Sequence, residues 1–352
     1  MNKKLVSIIS SIFLVTILFS GCKSKDVATN SKDKEVGKKQ ITLYMSGPQK
    51  MVDQLEKDFE KDKGDVLKIY HNGCGPIRQK ILSEMEAGDI KADVVWAAEP
   101  LMYMDLQEKD KLLKYKSPET SNLKEEYKKV GNDYYTPVNA RYGVVIYNKK
   151  LVSKENAPIT FKDLTKPYFK GSIGIADLRQ SSTALALTSG IYQINENNWD
   201  YYKKLKANDV MLTKQNVQVV EKVDSGEIKA SIAPHDAALR LMKNAKKKNV
   251  KSNLAIAWPK EGSISIQRPI SIIKNEKRSE ENTKIAKEFV DFALSKKGQQ
   301  ISTKYGFITV RKDLELPKGV KAKVKSVTVD WEHAKKNQDK LKEEYNEIFS
   351  GK

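Results

Sequence analysis

Three short loops combine Gly with Ser, Thr or Cys, and each lies just before a predicted helix. The three loops are Ser46-Gly47, Gly73-Cys74-Gly75 and Ser181-Ser182-Thr183. Glycine lets the backbone approach a ligand closely, and hydroxyl groups add hydrogen-bond donors. The unpaired N–H groups and the positive dipole end of a helix N-terminus favour a bound anion. We therefore predict ligand contacts at these loops, although ordinary N-capping by Ser or Thr explains each loop equally well.

Arginine is scarce in the chain, so its few positions are informative. The sequence holds 64 Lys and Arg residues, and only seven of them are Arg. Arg78, Arg141 and Arg179 lie in or beside the three loops. A guanidinium can hold a phosphate or phosphonate group through two parallel hydrogen bonds. The competing explanation for all three is a surface ion pair with a nearby acid.

The composition argues against a nucleic-acid partner, a metal site and an enzyme. The formal net charge is +19, but most basic residues are Lys and they are interspersed with 45 Asp and Glu residues. Nucleic-acid readers favour Arg and dense basic patches with aromatic residues, which this chain does not show. Three His and two Cys leave little material for a His-rich metal site or a disulfide framework. No Ser-His-Asp spacing and no Gly-rich phosphate loop with Lys is visible, so neither catalysis nor a cofactor is predicted.

The first 22 residues predict export and attachment to a lipid. Two lysines precede an apolar run over residues 5–19, which is short for a membrane-spanning helix. The following Ser-Gly-Cys is similar to the cleavage site of bacterial lipoproteins, with Phe19 where Leu is usual. Residues 1–21 are the predicted signal peptide, Cys22 the predicted lipidated (diacylglycerol and palmitate) residue, and 22–39 a flexible tether. The alternative is an uncleaved anchor helix; in either case the protein is expected on the extracytoplasmic face of the cell membrane.

Strand and helix patterns alternate along the rest of the chain, which predicts an α/β fold with a mostly parallel sheet. Strands are predicted at 41–45, 66–70, 93–96, 143–148, 173–177 and 264–274. Helices are predicted after the first two strands, near 181 and 199, and over 217–224, 237–244, 280–297 and 331–349. In such a fold the ligand-binding loops lie at the carboxyl ends of the strands.

The order of segments resembles a known family of transport proteins. The collinear motifs include ITLYMSGP, GCGPIRQKI, ADVVWAAEP, PVNARYGVVIYNKKLV, SGEIKASIAP and GSISIQRPISIIKNEKRSEENTKIAKEFVDFALSKKGQQ, spread over residues 40–320. They resemble the solute-binding proteins of bacterial ABC importers, in the group that takes iron(III), 2-aminoethylphosphonate, sugar phosphates, thiamine or polyamines.

The resemblance implies a two-lobe periplasmic-binding-protein fold of type II, with crossover strands as a hinge and the ligand between the lobes. The implied lobes are residues 40–141 plus 266–313 and residues 142–265, and a C-terminal helical segment covers 314–352. Arg240 and Arg268 lie near the implied junction of the lobes.

The iron(III)-binding branch of this group supplies a His after the first strand, a Glu after the third and a Tyr pair in the second lobe. Here these positions hold Pro48, Ala98 with Glu99 one place later, and His235-Asp236. We therefore predict no metal, and keep His235 and Asp236 as an alternative metal pair or as acceptors for a ligand amine.

Aromatic rings near the implied cleft offer stacking or cation–π contacts to the ligand. The candidates are Trp96 and Tyr142, with Tyr44, Tyr134 and Tyr135 in addition. Cys74 is a further candidate, since a helix N-terminus lowers a thiol pKa and makes an exposed thiol reactive. The alternative for Cys74 is that it takes the place of a Ser in its loop.

Together these observations predict the monomeric, lipid-anchored binding component of an ABC importer. It would capture a small anionic ligand, a phosphonate or phosphate ester, and deliver it to the permease and ATPase subunits. The alternatives are an iron(III) transport protein and a surface adhesin or wall-polymer binder that uses the Lys-rich exterior. The predicted ligand contacts are Ser46, Gly47, Cys74, Gly75, Trp96, Glu99, Arg141, Tyr142, Ser181, Ser182, Thr183, His235 and Asp236.

Overall fold

The computed structural model describes residues 39–98, 100–321 and 323–350. The predicted signal peptide, the predicted lipidation site Cys22 and the candidate contact Glu99 lie outside the described residues. Within those ranges, no helix combines the length and the apolar character needed to cross a membrane.

The described residues form a mixed α/β fold around one twelve-stranded sheet. The strands are β1 (Ile41–Met45), β2 (Leu67–His71), β3 (Val94–Trp96), β4 (Leu112–Leu113), β5 (Thr136–Asn148), β6 (Ile173–Ala176), β7 (Met211–Thr213), β8 (Ala230–Pro234), β9 (Leu254–Ala257), β10 (Ser263–Ile273), β11 (Ile308–Thr309) and β12 (Ser326–Thr328). The α-helices are α1 (Gln49–Glu60), α2 (Cys74–Glu86), α3 (Leu101–Glu108), α4 (Glu125–Lys128), α5 (Ser182–Ile194), α6 (Asp200–Ala207), α7 (Asn216–Ser225), α8 (His235–Lys247), α9 (Glu280–Leu294), α10 (Lys296–Lys304), α11 (Trp331–Lys336) and α12 (Gln338–Phe349).

The main path of the sheet runs in the order β2-β1-β3-β10-β5-β8-β6-β7. At the two ends the strands pair in parallel, β1 with β2 and β3, and β6 with β7 and β8. In the centre, β10 is antiparallel to β3 and β5, and β5 is antiparallel to β8. The prediction of a mostly parallel sheet is therefore right for the ends and wrong for the centre. The physical reason is that a buried apolar run looks the same in either strand direction.

The predicted lobe boundaries fall inside the two long strands, β5 and β10. These strands pair from Gly143 opposite Ile264 to Thr136 opposite Ile270, and the register places Arg141 opposite Ile266. The predicted change of lobe near residue 141 thus lies within β5, and the one near residue 265 lies within β10. The assignment of residues 40–141 plus 266–313 and of residues 142–265 to separate lobes stays a prediction.

The helix that follows β1 packs one apolar stripe against its neighbours. Met51, Leu55 and Phe59 of α1 are buried, as the sequence pattern predicts. The Phe59 ring lies edge-on to Phe289 of α9, with 5.1 Å between ring centroids. This packing fixes α1 and therefore the position of the Ser46-Gly47 loop at its start.

Two long predicted helices are each divided into two. The helix predicted over 280–297 ends at Ser295, whose side chain accepts a hydrogen bond from the Gly298 N–H and so starts α10. The helix predicted over 331–349 breaks at Asn337 between α11 and α12. The inward face of α12 is as predicted, and its buried residues are Leu341, Tyr345 and Phe349. This face packs on the α6 side of the molecule, where Tyr345 meets Tyr202.

Candidate functional site

A cleft of about 530 Å³ lies where five helices begin. These helices, α1, α2, α5, α7 and α8, each follow directly after a strand of the sheet. Residues at or next to all five helix starts line the cleft: Pro48, Cys74, Ser182, Asn216 and Pro234. Because the first N–H groups of a helix have no partner within it, donors and positive dipole ends surround one space.

Eight of the predicted ligand contacts line this cleft. They are Ser46, Gly47, Cys74, Gly75, Arg141, Ser181, Ser182 and Thr183. The three predicted loops therefore come together, although they are distant in sequence. Gly47 has a φ of +143°, a backbone conformation that residues with a side chain rarely adopt, and a Cβ there would lie 2.8 Å from Met51 Cε and displace it, so this position favours Gly.

The second glycine-containing loop approaches the third closely. A Cβ on Gly75 would lie 3.2 Å from the carbonyl oxygen of Gln180. The start of α2 and the β6–α5 loop therefore meet at the rim of the cleft.

The described lining of the cleft is cationic. Its charged side chains are Arg141, Lys214 and Arg240, and it contains no Asp or Glu among the residues that the structure describes. His71 donates through Nε2 to the Gly47 carbonyl oxygen at 2.7 Å, which links the end of β2 to the first loop. With the five helix starts, this lining gives the cleft a positive potential suited to an anion.

Asp236 lies beneath this lining and holds two of its arginines. The Asp236 side chain is fully buried. Its Oδ1 lies 3.4 Å from Arg141 Nε, and its Oδ2 accepts from Arg240 Nη1. Burial opposes ionisation of the carboxyl, but the charges of Arg141 and Arg240 outweigh it and hold the pKa of Asp236 below its usual range. Asp236 is therefore an ionised partner of the arginines and does not line the cleft, a position that does not support its predicted role as a ligand contact.

A third guanidinium, that of Arg268, lies under the floor of the cleft. Arg268 is 1% exposed and donates through Nη2 to Ser46 Oγ at 3.1 Å and through Nη1 to Asn139 Oδ1 at 3.2 Å. In the described part of the chain no carboxylate lies within ion-pair distance of it. Burial, with the nearby charge of Arg141, lowers the pKa of Arg268 to about 10, so the group stays charged at neutral pH.

His235 is buried next to Asp236, and its ring forms hydrogen bonds with backbone groups. Its Nδ1 accepts from the Tyr142 N–H at 2.9 Å, and its Nε2 donates to the Gly306 carbonyl at 2.9 Å. Burial lowers the pKa of His235, which keeps the ring neutral. Since both ring nitrogens are occupied, the alternative of a His235-Asp236 metal pair does not fit this geometry. Across the described ranges, no group of three or more His, Cys, Asp or Glu side chains is placed to hold a metal ion.

The predicted aromatic contacts lie away from the cleft. Trp96 is fully buried in the core, where its ring packs near Arg268. Tyr142 is half-buried and packs against His235 and Trp258. Tyr44 and Tyr135 are also buried. The predicted roles of Trp96 and Tyr142 as ligand contacts are therefore not supported by their positions.

Cys74 lines the cleft and joins two loops. Its Sγ donates to Ser46 Oγ at 3.1 Å and accepts from the Ala98 N–H at 3.3 Å. These are bonds that a Ser hydroxyl also makes. The geometry thus favours the alternative in which Cys74 takes the place of a Ser.

Arg78 and Arg179 form ion pairs with nearby acids, which was the alternative to a role in ligand binding. Arg78 Nη2 lies 3.1 Å from Asp105 Oδ2. Arg179 Nε donates to both carboxylate oxygens of Asp177 at 2.9 Å. Both arginines lie beside the cleft rather than in its lining.

Several lining residues are not predicted by the sequence patterns. They are His71, Asn72, Gln180, Lys214, Gln215 and Asn216. Lys214 and Gln215 follow β7, which has three residues and leaves no periodic pattern. One signal was available, because Gln215 and Gln218 form a reciprocal capping box at the start of α7.

Residues 89–337 match a family model described as bacterial extracellular solute-binding protein. A protein of Haemophilus influenzae, itself described only as uncharacterized, is 26% identical over 278 residues, which cover 76% of this chain and 77% of that protein.

Solved structures of periplasmic binding proteins are also similar. AfuA from Actinobacillus pleuropneumoniae, with exogenous fructose-6-phosphate bound, has a TM-score of 0.76 at 25% identity and covers 90% of this chain and 100% of its own. Iron-bound HitA from Pseudomonas aeruginosa has a TM-score of 0.74 at 21% identity, with coverages of 87% and 99%. The periplasmic binding protein P5PA has a TM-score of 0.72 at 23% identity, with coverages of 88% and 99%. These matches confirm the predicted two-lobe periplasmic-binding-protein fold.

Proposed function

The chain belongs to the family of bacterial extracellular solute-binding proteins, and we propose that its solute is a small ligand with a doubly charged phosphoryl or phosphonyl group. Proteins of this family bind solutes for ABC transporters and are not enzymes as a class. The proposal concerns the chemistry of the ligand within that established role.

The charge of the arginine cluster supports a dianion. Arg141, Arg240 and Arg268 contribute three positive charges, and Asp236 contributes one negative charge. The arginine cluster therefore keeps a surplus of 3 − 1 = +2, and Lys214 in the cleft lining adds a further positive charge. A phosphate monoester or a phosphonate carries about two negative charges near neutral pH, which this positive surplus can balance.

The main support for the proposal comes from two serine hydroxyls whose acceptor lone pairs already receive hydrogen bonds from other residues. Ser46 Oγ accepts from Arg268 Nη2 and from Cys74 Sγ, both at 3.1 Å. Ser181 Oγ accepts from the Ala184 N–H at 3.2 Å and from Asn216 Nδ2 at 3.1 Å. A hydroxyl has two acceptor sites and one donor, so each of these groups retains only its O–H donor. Neither hydroxyl has an acceptor among the described residues, and an oxyanion in the cleft would supply one.

The same two serines approach the cleft from different loops. Ser46 follows β1, and Ser181 precedes α5. A single oxyanion that accepts from both hydroxyls would join the two sides of the cleft and so favour a closed arrangement. A ligand shifts the equilibrium between an open and a closed form only through contacts that it makes in one of the two forms. An oxyanion held by both serine hydroxyls makes such a contact in the closed form.

The proposal is tested by isothermal titration calorimetry of the purified protein with inorganic phosphate, a phosphate monoester, a phosphonate and Fe(III). Binding of the phosphorus oxyanions is expected, with at least about tenfold loss in the double variant Ser46→Ala/Ser181→Ala. The control is Ser121→Ala, an exposed serine whose hydroxyl bonds to the Pro118 carbonyl. Heat from Fe(III) alone would contradict the proposal and support the iron(III) alternative.

The adhesin alternative predicts a different salt response. Attachment through dispersed surface Lys collapses as ionic strength rises, because exposed charges are screened. Binding in the cleft uses buried guanidiniums and helix starts, which are screened less. An affinity for wall polymer that disappears with salt, without any phosphate binding, would therefore favour the adhesin.

We also propose that the mature chain is held at the membrane through a lipid on Cys22 and delivers its ligand as a monomer to the permease and ATPase subunits. The support is the lipoprotein-like sequence before Cys22 and the family membership. Mass spectrometry of the mature N-terminus and of the Cys22→Ala variant tests the anchor. Release of unmodified wild-type protein would contradict it.

A further inference from the structure

The cleft continues into a second compartment of about 410 Å³. The two spaces share seven lining residues, among them Gly75, Gln180, Ser181 and Lys214. The second compartment extends to the C-terminal segment, where Gln338 and Lys342 of α12 form one wall. A ligand anchored in the cleft through its oxyanion therefore has room for its remaining part against α12.

The second compartment differs from the cleft in its charge balance. Its arginines, Arg78 and Arg179, are engaged by the carboxylates of Asp105 and Asp177. Its described lining contains no Asp, Glu or aromatic residue. The described lining therefore offers no aromatic face to a flat ring and no carboxylate to an ammonium group, while Leu82, Leu178 and Leu185 form its apolar part.

Four glutamine side chains from different segments of the chain line the second compartment. They are Gln79, Gln180, Gln215 and Gln338. An amide presents both donors and acceptors, which matches a hydroxyl group that donates and accepts at once. Cationic side chains alone leave the O–H donors of such a ligand without partners.

Gln338 is positioned by its neighbours. In the amide orientation that satisfies its neighbours, the Gln338 oxygen accepts from Lys342 Nζ at 2.7 Å and from Arg78 Nη2 at 3.2 Å. Gln338 is also the first residue of α12, which Arg179 ties in place through Ser350 Oγ at 3.2 Å. The amide NH₂ is then the part of Gln338 that can donate to a ligand.

We propose that α12 supplies a wall of the ligand site and that Gln338 selects ligands whose non-phosphoryl part carries hydroxyl groups. This inference rests on the proposed function, because the oxyanion in the cleft places the rest of the ligand in the second compartment. It assigns a role in specificity to the C-terminal segment, which lies beyond both predicted lobes.

The test compares inorganic phosphate, a hexose 6-phosphate and phenyl phosphate by calorimetry on the full protein and on Gln338→Ala. The hexose phosphate should bind at least about tenfold more tightly than the other two. Gln338→Ala should weaken the hexose phosphate about five- to tenfold and leave inorganic phosphate unchanged. Gln79→Ala, on the opposite wall, should give the same pattern, and Lys340→Ala, exposed on α12, should change nothing.

The outcomes separate the two proposals. If inorganic phosphate binds but the hexose phosphate is no tighter than phenyl phosphate, the role of Gln338 is overturned and the anion site stands. The same holds if Gln338→Ala weakens all three ligands alike or none of them. If no oxyanion binds, the proposed function fails and the inference fails with it.

Discussion

Arg268 donates a hydrogen bond to Ser46 Oγ over 3.1 Å from a position that is 1% exposed. The same guanidinium donates to the Ser46 carbonyl and to Asn139 on the neighbouring strand β5. It therefore holds the first loop in place and at the same time brings a charge under the cleft. The proposed anion would supply a counter-charge to Arg268, which has no carboxylate of a described residue within ion-pair distance.

The variant Arg268→Met should remove both effects together. The relief of a costly buried charge offsets part of the loss of the hydrogen bonds to Ser46 and Asn139, so the free energy of unfolding of the unliganded protein should fall less than it does when a salt-bridged buried arginine is replaced. Affinity for phosphate should fall at least about tenfold, since both the charge and the support of Ser46 are lost. Calorimetry and urea denaturation measure the two quantities.

Arg278→Met is the matched control for this experiment. Arg278 is also buried, but its Nε pairs with Asp93 Oδ1 at 2.6 Å and it does not line the cleft. This variant leaves a carboxylate unpaired, so it should be destabilised while its affinity for phosphate stays unchanged. Loss of affinity in both variants alike would show that Arg268 acts only through stability.

Asp236→Asn should have opposite effects on stability and binding. Removing the buried carboxylate leaves Arg141 and Arg240 without their counter-charge, which should cost about 3 kcal/mol in the free energy of unfolding. The cluster then has a larger positive surplus, so phosphate should raise the melting temperature more than it does in the wild type. Asp93→Asn serves as the control that loses stability without this gain. A smaller shift with phosphate in Asp236→Asn would indicate that the carboxylate contacts the ligand.

Cys74→Ser should bind phosphate with nearly wild-type affinity. A hydroxyl can replace the thiol in both of its contacts, as donor to Ser46 and as acceptor from the Ala98 N–H. Cys74→Ala removes both contacts and should weaken binding by about three- to tenfold. Equal affinities of the Ser and Ala variants, measured by calorimetry, would rule out a role for these hydrogen bonds.

Stability should fall as the solution is acidified through the ordinary titration range of His. Burial lowers the pKa of His235 from its ordinary value of 6.5, so as the pH falls the unfolded chain takes up a proton before the folded protein does. The contribution of neutral His235 is therefore complete at higher pH and is lost below about pH 6.5, at up to about 1.4 kcal/mol per pH unit.

The variant His235→Asn, which keeps an acceptor for the Tyr142 N–H, tests this origin. Urea denaturation from about pH 7.5 to about pH 5 should show a shallower decline for the variant than for the wild type. Parallel curves would assign the decline to other groups.

The sequence was sufficient for the position of most elements but not for the direction of the central strands. Ile41–Met45 and the helix stripe of Met51, Leu55 and Phe59 were predicted and are found, because apolar periodicity reports burial directly. The apolar runs of β5 and β10 report burial in the same way. They contain no information on which neighbour each strand pairs with, so their antiparallel crossing could not be derived.

The parts of the candidate site that lie in loops rich in Gly and Ser were predicted correctly as cleft-lining segments. The predictions were wrong where they depended on whether a side chain points to the cleft or is buried in the fold. Trp96 ends a strand, and the sequence does not say which face its side chain takes. His235 and Asp236 carry groups that can bind a ligand, yet the fold uses those groups internally. One signal was overlooked, since Asp236 and Arg240 are four residues apart and so share a helix face.

Arg141 and Arg268 are both carried by the strand pair β5–β10, and Arg268 lies at the irregularity where the register shifts before Pro269. Both guanidiniums of the proposed anion site thus lie on the backbone that links one end of the sheet to the other. If an anion binds there as proposed, it would contact the chain at the strand pair that the family resemblance implies as the hinge. A small change of angle at this pair would then move the outer strands, β2 and β7, further than it moves either guanidinium.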